Sequence, residues 1–257
     1  MDQIDKKIAF YLLKNGRMQM REIAKRAGIS AQALNYRYSK LLENGIIKRY
    51  SLRLNPSLIG KVNVFAAFKN DAYKSENVIS KFKCLEEITI YEFIANSVEE
   101  AQNCIETASA QIGKPFMQYI PEQERIPINL GDIDRGIINL LRTDPRMSVV
   151  SMAAQLDVKP SIVRKRLNLM EKYHILTVTA ELDLSKMDSI IFAVISDNLK
   201  SLSSYIDEDL IITISDRGRG IMICYSDNLR NARKVIERMR VYDPSADVMV
   251  VYDYEFS

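Results

Sequence analysis

The sequence of 257 residues has little of what metal and redox centres are built from. It contains one histidine, and its three cysteines, Cys84, Cys104 and Cys224, form no Cys-x-x-Cys pair. An odd number of widely spaced cysteines is typical of buried thiols in a reduced compartment and argues against a metal site. We therefore expect a cytoplasmic protein with no metal or other cofactor.

Long apolar runs and common enzyme motifs are also missing. No run approaches the roughly 20 apolar residues that cross a bilayer. The first residues, MDQIDKK, have neither the basic region nor the apolar core of a signal peptide. No Walker loop, Ser/His/Asp set, paired carboxylates or metal-ligand spacing is present. These absences favour a soluble protein that is not an enzyme.

The charge is unevenly distributed. The net charge is only +3, but residues 1–60 hold 12 Lys and Arg against 4 Asp and Glu, whereas residues 61–130 hold 7 against 10. Residues 131–188 carry +1 and residues 189–257 carry −3. A compact basic module joined to mildly acidic ones is typical of a nucleic-acid-binding protein, although a charge excess alone is also typical of a solvated surface.

A helix is predicted between Ser30, a good N-cap, and Gly45, a good stop. Ile29, Leu34, Tyr38 and Leu41 recur at intervals of three to five, which assigns them to the core. The positions predicted to face outward are Ala31, Gln32, Asn35, Tyr36, Ser39 and Lys40. The basic stretch that follows, 46–50, is predicted to form a hairpin wing.

The chain repeats itself with an offset of 129 residues. Nine identical pairs lie between Ile4 and Ile47: Ile4/Ile133, Asp5/Asp134, Ile8/Ile137, Leu12/Leu141, Arg17/Arg146, Met18/Met147, Ala24/Ala153, Arg37/Arg166 and Ile46/Ile175. Each copy predicts a first helix, a short second helix at 21–27 or 150–156, a tight turn and a third helix. Two helices joined by such a turn form a helix-turn-helix.

The remainder of each copy changes period and predicts an α/β domain. In the first copy we predict strands at 62–68, 87–94 and 116–120 and helices at 75–83 and 98–112. In the second copy we predict strands at 189–195, 210–215, 221–225 and 247–254 and helices at 199–205 and 229–240. The order βαββαβ is the ferredoxin-like motif. Only thirteen residues, 85–97, separate the two helices of the first copy, so we expect that domain to have lost one hairpin.

These segments resemble the Lrp/AsnC family of transcriptional regulators. The resemblance is carried by MDQIDKKIAFYLLKNGR, by REIAKRAGISAQALNYRYSKLLENGIIKRYSLRLNPSLIG and by the repeat from Gly131. It implies an α+β protein in which two winged helix-turn-helix modules (1–60 and 131–188) alternate with two ferredoxin-like domains (61–130 and 189–257). It further implies sequence-selective binding of double-stranded DNA, pairing through the α/β domains and control by a small effector. Pairing within one chain and pairing between two chains both stay open.

Placed in the major groove, the helix 30–44 offers two kinds of contact. Amides suit adenine edges and cations meet phosphates. The base-facing residues are Ala31, Gln32, Asn35 and Tyr36, and the phosphate-facing ones are Arg37, Lys40, Lys48 and Arg49, with Arg53 as a further candidate. An ion pair within the module is the alternative for Arg37, and simple exposure is the alternative for Tyr36.

The second module is expected to bind DNA more weakly. Its candidate contacts are Ser161, Arg164, Lys165 and Arg166. Its wing replaces cations with Thr177 and Val178 and adds Glu181 and Asp183, which would repel phosphate. Val150 and Ser151 also stand where the first module has Arg21 and Glu22.

The turn Arg217-Gly218-Arg219-Gly220 is the candidate effector site. Its backbone N–H groups and arginines suit an anion, and a plain tight turn is the alternative. Ile221 stands near where the family has an acidic residue. Two other functions stay open. A siroheme-decarboxylase-like tetrapyrrole enzyme shares this fold, but His174, aligned with Gly45, is predicted to lie in a surface turn. A partner subunit that does not itself bind DNA is the third reading.

Overall fold

A computed structural model describes residues 1–121, 129–199, 202 and 210–256. The chain divides into two compact units, each assembled from distant segments. The helical unit comprises Lys7–Ile59 and Glu124–Leu182, and the sheet unit comprises Met1–Lys6, Gly60–Gln123 and Asp183–Ser257. Among the described residues, no helix is both long and apolar enough to span a membrane.

The helical unit contains two copies of a three-helix module. The first copy has α1 (Gln3–Lys14, which begins in the sheet unit's segment), α2 (Met20–Ala27) and α3 (Ala31–Glu43). The second copy has α5 (Asp132–Thr143), α6 (Val149–Gln155) and α7 (Pro160–Lys172). Each copy ends in one strand, β1 (Ile47–Leu54) or β6 (Leu176–Leu182). The helices predicted from the repeat therefore form within one or two residues of the expected bounds.

The predicted apolar stripe buries the third helix of the first module. Leu34 and Leu41 are fully or almost fully buried. The Ser30 hydroxyl caps the helix by accepting from the Ala33 N–H. Tyr38 is only half-buried, because its hydroxyl lies at the contact with the second module. Its assignment to the core was wrong to that extent.

Backbone turns fix where these helices begin and end. Gly28 before α3 and Gly45 after it have φ of 70° and 64°, a left-handed conformation that glycine adopts without strain. The equivalent positions of the second module hold Asp157 and His174, with φ of 52° and 50°. The left-handed turn is thus kept even where glycine is not.

The wings differ from the prediction. Neither strand folds back on its own module as a hairpin. Instead, β1 pairs antiparallel with β6 to form a two-stranded ribbon shared by both modules. A single strand of seven or eight residues exposes its N–H and C=O groups, and each strand satisfies those along one edge of the other.

The described residues of the sheet unit form eight antiparallel strands and two long helices. The first half has β2 (Val62–Phe68), β3 (Val78–Cys84), β4 (Thr89–Ala95), α4 (Val98–Ile112) and β5 (Met117–Tyr119). The second half has β7 (Ile190–Ser196), β8 (Leu210–Asp216), β9 (Arg219–Ser226), α8 (Leu229–Tyr242) and β10 (Asp247–Phe256). The strand order is β5-β2-β4-β3-β10-β7-β9-β8, so β3 and β10 join the halves.

The first half departs from the prediction between residues 75 and 95. The segment predicted as a helix, 75–83, forms strand β3, and its hairpin with β4 is intact. Val78, Ser80, Phe82 and Cys84 are buried at a spacing of two, which a strand satisfies and a helix does not. The domain has therefore kept its hairpin, and between β2 and β3 it lacks the helix that the ferredoxin-like order requires.

The second half follows the predicted strands and last helix closely. The helix predicted at 199–205 falls mostly outside the described residues. Each half has its own apolar core between sheet and helix, with Tyr91 and Phe93 at the centre of one and Phe192 and Met222 at the centre of the other.

Candidate nucleic-acid interface

Helix α3 presents its predicted base-facing residues to solvent. Ala31, Gln32, Asn35 and Tyr36 are all exposed, and 66% of Tyr36 is accessible although it is large and partly apolar. This face is open because the opposite face, through Leu34, holds the helix on the module core. An exposed helical face of about this length fits the major groove of B-DNA.

The predicted phosphate contacts flank this face, and they differ in exposure and in ion pairing. Lys48 is exposed and Arg37 is half-buried. The Lys40 ammonium lies 2.7 Å from the Glu43 carboxylate, whose hydrogen bond raises the pKa of Lys40. Both side chains are about half exposed or more, so this pair costs little to break when a phosphate approaches.

Glu181 of the second wing is buried, so it does not face solvent, where it could repel DNA phosphates. Glu181 is buried in the shared ribbon, where it accepts from the Ser51 hydroxyl and lies 2.9 Å from Nε of Arg49. Arg49 and Glu181 are also partners in the strand register. The prediction that Glu181 faces phosphate was wrong, and Arg49 is in part a structural residue. Asp183 accepts from Ser185 just after β6.

The third helix of the second module also exposes candidate contacts. Ser161, Arg164 and Lys165 are exposed on α7. Arg166 is different, because its Nε lies 2.6 Å from the buried Asp134 carboxylate and its guanidinium is bound in a bidentate ion pair. We expected Arg166 to contact phosphate, but the ion pair gives it the structural task of joining α7 to α5.

Arg17 and Arg146, which occupy equivalent positions of the repeat, connect the modules. Arg17 donates to the backbone carbonyls of Pro145 and Met147 at 2.8 and 2.9 Å, and burial lowers its pKa. Arg146 donates to the hydroxyls of Tyr38 and Tyr50 at 2.7 and 2.9 Å. The repeat shows that the two positions are both arginine. It does not show which groups of the other module each arginine contacts, so this role was not predicted.

The predicted effector turn joins β8 to β9 in the sheet unit. Arg217 and Gly218 have positive φ of 51° and 91°, so the tight turn that was the alternative reading is present. The turn also borders a cavity of about 740 Å³. The cavity is lined by Val98, Gln118, Ile120, Asp216, Arg217 and Arg219.

Charge inside this cavity is mixed. The Arg219 guanidinium lies 3.5 Å from the Asp216 carboxylate and 5.8 Å from the centre of the Tyr119 ring. Gly220 is required at its position, because a Cβ there would lie 1.9 Å from the Ile214 carbonyl oxygen. The cavity therefore offers two arginines beside an apolar wall, with one carboxylate partly neutralising them.

Histidine and cysteine lie where the sequence indicates. His174 is exposed in the turn after α7. The three cysteines are buried and unlinked, and burial raises the pKa of Cys84 to about 12, which leaves it an unreactive thiol. Among the described residues, no three His, Cys, Asp or Glu side chains come together as metal ligands.

Two family models match the chain, one in each module. Residues 1–48 match a winged helix-turn-helix DNA-binding model, and residues 130–171 match the AsnC-type helix-turn-helix domain. Both matches fall on the helices that carry the exposed faces described above.

The curated relatives that the chain matches are named as transcriptional regulators. The HTH-type transcriptional regulator FL11 of Pyrococcus furiosus is 36% identical over 94 residues, which is 36% of this chain and 62% of that protein. The regulator LrpA of Mycobacterium tuberculosis is 28% identical over 122 residues, covering 47% of this chain and 81% of the relative. The match thus spans somewhat under two thirds of FL11.

Solved structures match the chain with low TM-scores and low identity. The siroheme decarboxylase NirDL has a TM-score of 0.48 and 13% identity, with 98% of this chain and 92% of that chain covered. LrpC of Bacillus subtilis has a TM-score of 0.35 and 21% identity, covering 50% of this chain and 99% of that one. At these values neither likeness says what the chain binds or does.

Proposed function

We propose that this chain, a tandemly duplicated member of the Lrp/AsnC family, is a transcriptional regulator that binds double-stranded DNA sequence-specifically. The observation that supports this most is the pair of exposed third helices, α3 and α7, each the second helix of a helix-turn-helix and each leading into one strand of the shared ribbon. The relatives named as transcriptional regulators support the same function. A cytoplasmic location is part of this proposal.

In this proposal the helix 30–44 lies in the major groove. Gln32 and Asn35 read adenine edges through their amides, and Tyr36 contacts a thymine methyl or a phosphate. Arg37, Lys40 and Lys48 neutralise phosphates, which sets the position of the protein without reading sequence. The charge of +8 over residues 1–60 supplies the long-range attraction.

Salt dependence tests the electrostatic part of the proposal. If one module neutralises about four to six phosphates, the logarithm of the association constant falls with that of salt with a slope of roughly −4 to −5. Binding of the purified full chain to its own upstream DNA, measured by fluorescence anisotropy between low and moderate salt, gives the slope. Undetectable binding at low salt, or binding insensitive to salt, contradicts the proposal.

Point variants distinguish residues that contact phosphates from residues that recognise bases. Lys40→Ala weakens binding to all duplexes and lowers the salt slope by about one, whereas Asn35→Ala costs about 1–3 kcal/mol at one base position and leaves other positions unchanged. Lys114→Ala, which removes an equal charge from an exposed site in the sheet unit, is the matched control. Equal losses from Lys40→Ala and Lys114→Ala would mean that only net charge matters.

The cavity at the β8–β9 turn supports control by a small anionic effector. Arg217 and Arg219 line a space of about 740 Å³, enough for an amino acid or a small organic acid. Anisotropy titrations repeated with each of the twenty amino acids and with inorganic phosphate identify an effector as a shift in DNA affinity. Arg219→Ala abolishes that shift without changing effector-free binding if the cavity is the site.

The same preparation separates the other two functions. A tetrapyrrole enzyme shows bound pigment or takes up added siroheme with a visible absorbance band, whereas a DNA-blind partner subunit binds DNA only when mixed with another family member. Size exclusion with light scattering reports whether the paired modules within one chain suffice or whether chains also associate with each other.

A further inference from the structure

The ribbon relates the two modules by a local two-fold axis. Tyr50 and Thr179 are equivalent positions of the repeat, and so are Ser51 and Ala180. In the ribbon Tyr50 pairs with Ala180, and Ser51 pairs with Thr179. Over the four central pairs, from Arg49↔Glu181 to Leu52↔Val178, the pairing is therefore unchanged when the two modules are exchanged, which defines a two-fold axis at the centre of the ribbon.

This axis fixes how the third helices are presented. Helix α3 leads directly into β1 and helix α7 into β6, so the symmetry of the ribbon passes to the helices. Helix-turn-helix pairs related by a two-fold axis address two half-sites in inverted orientation. Arg17 and Arg146, each donating to groups of the other module, hold this arrangement together.

The exposed faces of the two helices are not equivalent in chemistry. The positions of Gln32, Asn35 and Tyr36 in α3 are occupied by Ser161, Arg164 and Lys165 in α7. All six side chains are exposed. Amides pair with adenine N6 and N7, whereas arginine and lysine pair with guanine O6 and N7. The two modules are thus related by a two-fold axis, but their third helices expose side chains that recognise different bases.

We infer that the chain recognises a non-palindromic element made of two different inverted half-sites, one adenine-containing and read by α3, the other guanine-containing and read by α7. This rests on the proposed function and specifies its DNA target. A protein made of two identical chains presents identical faces and selects a palindrome, but both faces here belong to one chain. Because an element with two different half-sites, here called the hybrid element, is asymmetric, the protein binds it in a single orientation.

Selection from random DNA tests the inference. The purified full chain is used to enrich duplexes with a randomised segment of about 30 base pairs, roughly three helical turns. We expect enrichment of one element with unlike halves. Affinities are then compared for that element and for the two palindromes built from each half. The hybrid binds about ten-fold more tightly than either palindrome, since each palindrome mismatches one helix.

Exchange of the exposed residues gives a converse test. Ser161→Gln, Arg164→Asn and Lys165→Tyr together give α7 the same three exposed residues as α3. All three sites are exposed, so we expect the fold to be unchanged. This variant is expected to prefer the palindrome of the α3 half-site by about ten-fold over the hybrid. The matched variant, Gln32→Ser, Asn35→Arg and Tyr36→Lys, should prefer the other palindrome.

The outcomes distinguish this inference from the proposed function. Enrichment of a palindrome by the unaltered chain, or equal affinity for hybrid and palindromes, overturns the inference and leaves DNA binding intact. No enrichment of any duplex at low salt overturns the proposed function and the inference with it.

Discussion

Replacing Arg146 with alanine tests whether the repeat arginines hold the two modules together. The Arg146 guanidinium donates to two tyrosine hydroxyls, and its carbon lies 5.3 and 4.7 Å from the ring centres of Tyr38 and Tyr50. Hydrogen bonds involving a charged group contribute about 1.5–3 kcal/mol each, and exposed cation–π contacts about 0.5–1. Because Arg146 is half-buried and water replaces part of these contacts, we expect Arg146→Ala to cost about 2–4 kcal/mol.

The measurement is urea unfolding of the full chain followed by circular dichroism, whose signal is dominated by the helical unit. Arg142→Ala removes an equal charge from an exposed position in the last turn of α5, the helix that precedes Arg146, and should change the free energy of unfolding by no more than about 0.5 kcal/mol. If the two variants unfold alike, Arg146 does not hold the junction and the reasoning fails.

Alkaline titration gives this prediction a second readout. Burial raises the pKa of Tyr50, and the neighbouring Arg146 cation partly opposes that rise. A phenol whose folded pKa is raised contributes stability that is present below its unfolded pKa of about 10 and is lost as pH rises above it. Arg146→Ala removes the opposing cation and raises the folded pKa further, so the loss of stability with rising pH should continue to a higher pH in the variant than in the unaltered chain.

Three further predictions concern buried polar and aromatic groups. Asp134→Asn leaves the partly exposed Arg166 without its carboxylate and should cost about 2–4 kcal/mol in urea unfolding, without loss of helix content at low denaturant. Phe82→Ala removes a ring packed at the β3–β10 junction and should cost about 3–5 kcal/mol, whereas Phe116→Ala, which removes an equal volume from an exposed site, should be near neutral. Asp243 accepts from two serine hydroxyls that lower its pKa, so the stability it adds is present above an ordinary aspartate pKa of about 3.9 and is lost as pH falls below it. Asp243→Asn should flatten that acidic limb in thermal melts between pH 5 and about 2.5, and an unchanged limb would contradict the assigned cause.

Sequence patterns were sufficient for the helices that present the candidate interface. The interval between Leu34 and Leu41, with Ser30 ahead of them, identifies a capped amphipathic helix because both signals are local in the chain. The exposed face then follows from the buried one by geometry alone. Outward residues such as Gln32 and Asn35 were therefore predicted correctly as exposed, although their contact with DNA stays a prediction.

The errors came from pairing, which local patterns do not record. The segment 75–83 has apolar residues that fit either period, and the neighbouring strands β4 and β10 decide in favour of a strand. The sequence of a wing strand likewise does not show which strand it pairs with, so the pairing of β1 with β6 was not predicted. Glu181 was misread for the same reason, since its partner Arg49 lies in the other module.

The interleaved path of the chain has a consequence for synthesis on the ribosome. Strand β1 pairs with β6, and strand β3 with β10, so each early strand leaves the exit tunnel long before its partner. At translation rates of about 5–20 residues per second, the 130 residues from Tyr50 to its partner Ala180 take roughly 6–26 s, and the 167 residues from Cys84 to its partner Val251 take roughly 8–33 s. During that time β1 has no partner strand and β3 has only β4 beside it, so both offer open strand edges that can mispair between neighbouring ribosomes on one message. Translation speed across residues 60–180, through codon choice, should therefore affect the yield of folded protein more than the speed elsewhere.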